Sequence, residues 1–127
     1  MDANVFVGAG FRPASASGRL VAAARAGRLV TVWNAATRAE AECVVGQIPP
    51  LAAFDWTGVF RDAGRWGGAV DLAPWAHLAG RLDQTLAALA LAASAPLVTA
   101  DGPLHDGAGE GGVVALRPAP AAAAFGL

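Results

Sequence analysis

The sequence predicts an α/β domain: a three-layer α/β/α sandwich around a central parallel sheet of four to five short strands. Three observations carry that expectation. Short apolar runs alternate with helix-like segments along most of the chain. These runs are apolar on both faces, as strands covered by helices on each side must be. The 127 residues suit a single domain over residues 1–127, long enough to bury roughly two thirds of its surface.

The first run, NVFVGAG from Asn4, reads as a strand stopped at Gly8 and Gly10, and FRPASAS behind it has the composition of a loop. SGRLVAAARAG reads as a helix. Ser17 can cap its first amides, Leu20, Ala23 and Ala24 recur at helical spacing, and Gly27 can end it in the left-handed conformation. RLVTVW, ending at Trp33, is the second strand. Asn34 then caps a helix over AATRAEAECVV, with Ala36, Ala39, Cys43 and Val44 on its apolar side, Glu40 beside them and Glu42 turned away.

Over residues 46–80, Pro49, Pro50 and scattered glycines and aromatics leave no stable period, so short helices and loops are expected. RLDQTLAALALAASA is a helix of strong formers, and PLVTA is a fully apolar strand with Asp101 just past its end. GGVVAL near Val113 is a last short strand. The tail RPAPAAAAFGL has room for one or two helical turns.

Composition narrows the function classes. Hydrophobic residues make up 55% of the chain and charged ones 15%, which supplies a core and excludes wholesale disorder. A formal net charge of -1 excludes an overall basic field for nucleic acid. All the basic residues are Arg, so a polyanion would be held by local clusters that fork onto phosphate. Cys43 is the only cysteine, which rules out an internal disulfide and a cysteine-rich metal site and suits a reducing cytosol. No secretory signal is recognisable, and the uncharged stretch at 84–100 is short for a membrane span and interrupted by Pro96. A cytoplasmic location is expected.

Several motifs are missing. VGAG lacks the longer glycine patterns that hold nucleotides, there is no G-x-S-x-G elbow, and Asn4 stands where a dehalogenase-type phosphatase would need a second Asp. His77 and His105 have no metal-ligand spacing. Cys43 has no neighbouring base and is expected in the core, and Trp33, Trp56, Trp66 and Trp75 are expected in the core or against a partner.

What stands out is a set of acids in apolar company. Asp101 follows a strand at the edge where ligands of open sheets collect. Asp2 flanks the first strand, Glu40 lies six residues into a helix leaving the same edge, and Asp83 opens a helix of Leu and Ala. Carboxylates are rarely buried unless paired, hydrogen-bonded or bound to metal. Four together repel and hold protons more tightly. Mg²⁺ or Mn²⁺ relieves the repulsion, accepts oxygen ligands, activates water and neutralises charge on a phosphate oxygen. The chemistry implied is metal-assisted phosphodiester hydrolysis.

DANV at 2–5, the acid of TRAEAE at 40, DQTLAALALA from Asp83 and PLVTAD ending at Asp101 resemble the ordered acidic signature of PIN-domain ribonucleases. DANVF, SGRL and AGRLVTVW resemble the family's first half, so the resemblance covers residues 2–45 and 81–117. It implies that Asp2, Glu40, Asp83 and Asp101 are catalytic and hold one or two Mg²⁺ or Mn²⁺ ions. It further implies that the Asn4 amide orients the acids and that the Thr99 hydroxyl bonds them or a water. An RNA substrate and a homodimer follow from it and, as in VapC-type toxins, a cognate antitoxin that silences the enzyme. A catalytically inactive PIN-like interaction module is the alternative. The chain departs from the family in three ways. Only Met1 precedes Asp2, Asp101 is followed by Gly102 and Pro103 with His105 and Asp106 further on, and the absence of Lys leaves RNA contacts to Arg12, Arg19, Arg38 or Arg81.

Overall fold

Helices dominate the computed structural model, which describes all residues 1–127. They are α1 (Ala3–Phe11), α2 (Ala16–Arg25), α3 (Ala35–Gly46), α4 (Arg81–Ala92), α5 (Gly102–Glu110) and α6 (Pro118–Ala124). Short 3-10 turns at Pro49–Leu51, Asp62–Gly64 and Ala73–Trp75 punctuate the middle. The expected central sheet of four to five strands does not form. The only sheet is a parallel pair, β1 (Leu97–Val98) with β2 (Ala115–Leu116), in the register Leu97 to Ala115 and Val98 to Leu116.

Two of the expected strands account for the difference. The apolar run after Asp2 is helix α1, because Val5, Phe6 and Ala9 fall on one helical face and are buried against α2 and α3. Its glycines are packing sites rather than strand stops. A Cβ on Gly10 would come within 2.7 Å of the Leu51 side chain, and one on Gly8 within 3.2 Å of Ser17 Oγ. The segment at 29–33 is not helical, but its ladder is one isolated parallel bridge. There Trp33 N–H donates to the Gly64 carbonyl at 2.9 Å and its carbonyl accepts from Trp66 N–H at 2.8 Å.

The other helices follow their local chemistry. Ser15, not Ser17, caps α2, its oxygen accepting from Gly18 N–H at 3.1 Å, and Gly27 leaves the helix at φ +76° as expected. Asn34 and Thr37 form a reciprocal capping box at the start of α3. The buried face of α3 is Thr37, Ala41 and Val45. Ala36, Ala39 and Cys43, expected inside, are exposed, because the face that meets α1 and α4 is rotated from the one the alanines suggest. Helix α5 connects the parallel strands, which a hairpin cannot do.

Three apolar clusters form the core. One joins Trp75, Leu78, α4, β1 and α5, and a second joins α1, α2, α3, Leu51 and Val59. The third ties Val5, Leu20 and Val98 to Ala121 and Ala122 of α6. Trp75 and Trp33 are buried. No helix is long and apolar enough to cross a membrane. Packing of α3 on α1 and α4, with β1 leading into α5, draws three helix starts and the middle of α3 into one region.

Candidate functional site

Three of the four predicted acids stand at helix starts: Asp2 at the N-cap of α1, Asp83 in the first turn of α4 and Asp101 at the N-cap of α5. The partial positive charge of a helix N-terminus favours an acid at each. Glu40 lies in the middle of α3, and both it and Asp83 are half-buried.

Asp2 is the most fixed of the four. It makes no capping bond to its own helix. Instead its Oδ2 accepts a 2.7 Å hydrogen bond from the hydroxyl of Thr99, a fully buried side chain. The Asp2 N–H donates to the Val98 carbonyl at 2.9 Å. The same Thr99 oxygen accepts from Asp101 N–H at 3.0 Å, so one hydroxyl links residues at opposite ends of the chain. Asp101 in turn uses Oδ1 to accept from Leu104 N–H at 2.9 Å, which caps α5. Asn4 bonds no carboxylate: its Oδ1 accepts from Ala100 N–H at 3.3 Å. Its orienting role therefore falls on the backbone leading into Asp101.

The acids feel one another. Burial raises the Glu40 pKa above the usual carboxylate range, and the charges of Asp2 and Asp83 raise it further. Asp83 is raised by burial first and then by Asp2 and Asp101. None of the four takes part in a salt bridge, so no cationic side chain compensates the cluster directly. Arg117, which the sequence did not single out, reaches the loop between Thr99 and Asp101, its Nη1 donating to the Ala100 carbonyl at 3.2 Å. Only the separation in sequence hid it. Arg38 is occupied elsewhere, at 2.6 Å from Glu42 and over the Trp33 and Phe60 rings. The histidines stand apart, His77 on the Gly107 carbonyl and His105 on Asp106.

No group of three or more His, Cys, Asp or Glu side chains is drawn together in a form that could hold a metal ion. The donor chemistry of the cluster is nonetheless all carboxylate oxygen, mutually repelling and without a cation. That fits a hard ion such as Mg²⁺ or Mn²⁺, which keeps several waters and needs only one or two carboxylates directly. The cluster contains no nitrogen or sulfur donor to favour a softer metal. Compared with family models, with curated proteins and with solved structures, the chain matches none.

Proposed function

We propose that the chain is a metal-dependent endoribonuclease of the PIN-domain class, in which Asp2, Glu40, Asp83 and Asp101 bind Mg²⁺ or Mn²⁺ and hydrolyse RNA phosphodiester bonds. The observation that carries this reading is a cluster of acids that no salt bridge neutralises, with Asp2 tied through the Thr99 hydroxyl to the Asp101 backbone and with Glu40 and Asp83 both raised by burial first and then by neighbouring acids. When bound, the ion would supply activation of water and neutralisation of charge on the scissile phosphate. Glu40, with its raised affinity for a proton, is suited to take the proton of the attacking water. Thr99 holds the Asp2 carboxylate and the Asp101 backbone in a fixed relation, so those acids need little reorganisation. Arg117 beside Ala100, and Arg81 two residues before Asp83 in sequence, are the cations suited to a phosphate.

The reading carries with it a cytoplasmic location, a homodimer and, for a VapC-type toxin, a cognate antitoxin. A second reading, an inactive PIN-like interaction module, is favoured by the lack of a closed group of three metal ligands. Incubation of a mixed-sequence single-stranded RNA with the purified chain and Mg²⁺ or Mn²⁺ separates the two. Internal cuts that disappear with a chelator and in Asp83→Asn are expected. Cleavage that persists undiminished in Asp83→Asn overturns the assignment of the acids, and a wild-type chain that cuts nothing favours the inactive module.

A further inference from the structure

The parallel register carries past the last paired residues. With Val98 opposite Leu116 and Thr99 N–H donating to the Leu116 carbonyl at 3.0 Å, Thr99 and Arg117 stand side by side at the carboxyl ends of β1 and β2. Thr99 is the residue whose hydroxyl holds Asp2 and accepts from Asp101 N–H. Arg117 is therefore fixed one strand away from these acids.

Its guanidinium is anchored but not neutralised. Nη1 donates to the Ala100 carbonyl at 3.2 Å, and Nη2 lies 3.7 Å from the position a Cβ on Gly102 would take, so the group spreads along the turn that carries Asp101. A carbonyl is an uncharged acceptor and takes one of the five N–H donors. No carboxylate lies within 4.0 Å of the side chain, and Asp101 turns its Oδ1 to Leu104 N–H instead. The residue is exposed, so a full positive charge with most of its fork free faces solvent beside the acids.

Other arginines are placed differently. Arg81 precedes Asp83 by two residues in α4, about 200° around the helix, so the two side chains diverge. Arg12 closes α1 at the end opposite Asp2, and Arg38 is held by Glu42 and the Trp33 ring. A single anchored cation matches one phosphate of a strand, whereas a duplex is met by several contacts spread over both backbones.

We propose that Arg117 binds a backbone phosphate of the substrate, and that the substrate is single-stranded RNA held by that phosphate next to the one being cut. The inference rests on the nuclease reading and adds the form of the substrate and the residue that anchors it. Because a net charge of -1 supplies no general attraction, the salt dependence of binding falls mainly on this contact.

The test uses a labelled mixed-sequence RNA of about ten nucleotides, single-stranded or annealed to its complement. Fluorescence anisotropy reads its binding to an Asp83→Asn parent, which is expected to leave the RNA whole, with and without Arg117→Gln or Arg117→Lys added. Arg117→Gln is expected to weaken single-strand binding about fivefold at about 150 mM salt, and to reduce the slope of log affinity against log salt by about 0.7, whatever the sequence. Arg117→Lys keeps the charge and should keep the slope. Both should melt within about 2 °C of the parent, and the duplex should bind no more tightly than the single strand. Unchanged affinity and slope in Arg117→Gln, a loss of affinity that comes with a lower Tm and an unchanged slope, or a preference for the duplex overturns the proposal. So does a parent that binds no RNA. Cleavage in Mn²⁺ at limiting RNA separates this inference from the nuclease reading. RNA cut by Arg117→Gln at the wild-type rate overturns the role of Arg117 alone, while RNA bound through Arg117 but left whole by the wild-type chain overturns the nuclease reading and leaves the anchor standing.

Discussion

Thr99→Val tests the hydroxyl that ties the two ends of the chain together. Valine keeps the shape of threonine, so the fully buried position stays filled while two hydrogen bonds are lost. The bond to Asp2 involves a carboxylate and is worth about 1.5–3 kcal/mol, and depriving the Asp101 N–H of its acceptor adds about 1 kcal/mol. Such terms are not additive, and a net loss of about 2–3 kcal/mol is expected. At about 2.1 cal/mol/K per residue, the unfolding entropy of 127 residues is about 0.27 kcal/mol/K, so Tm should fall by about 7–11 °C. Thr99→Ser keeps the hydroxyl and loses a methyl group worth about 0.8 kcal/mol, a fall of about 3 °C. Thermal denaturation followed by circular dichroism reads both. A Thr99→Val variant within about 2 °C of wild type, or a Thr99→Ser variant as damaged as Thr99→Val, would refute the reasoning.

Substitutions at two other positions probe charge and capping separately. The folded pKa of Glu40 is raised, so the folded chain binds more protons than the unfolded one, and stability falls as pH climbs from about 4.3 through the folded value. Glu40→Gln should therefore be more stable than wild type at pH 7 in metal-free buffer and should lack that part of the pH dependence. Equal melting curves at pH 7 would contradict it. Asp101→Asn keeps an oxygen for Leu104 N–H and should melt close to wild type, whereas Asp101→Ala loses the cap at a cost of about 1 kcal/mol. Urea titration distinguishes them, and an Asn variant as weak as the Ala variant would show that the Asp101 charge, not the cap, matters for folding.

The sequence was legible where local chemistry decides the structure. Asn34 before a run of helix formers, Gly27 after one, and the Leu and Ala repeat behind Asp83 mark α3, α2 and α4 without help from the rest of the fold. Helix α1 was misread because Val5, Phe6 and Val7 favour strands intrinsically, while burial of Val5, Phe6 and Ala9 on one face outweighs that preference. No element was read in residues 102–110, where Gly107 and Gly109 lower helix propensity, although Asp101 as N-cap with Pro103 in the first turn was an available signal for α5. The order of the acids could be read directly, as could the choice of Thr99. The meeting of Asn4 with Ala100, and of Arg117 with the same residue, depends on contacts between distant parts of the chain that no local pattern encodes.

A divalent-cation site at the four acids is tested most directly by the melting temperature of the wild-type chain as Mn²⁺ is titrated in, beside Asp83→Asn and Asp101→Asn. An ion bound only by the folded state stabilises it by about 2.7 kcal/mol at a hundred times its dissociation constant, or about 10 °C here. A saturable rise of that order in wild type, lost in both variants, is the predicted result. A wild-type Tm that Mn²⁺ leaves unchanged, or an equal rise in all three proteins, would contradict it.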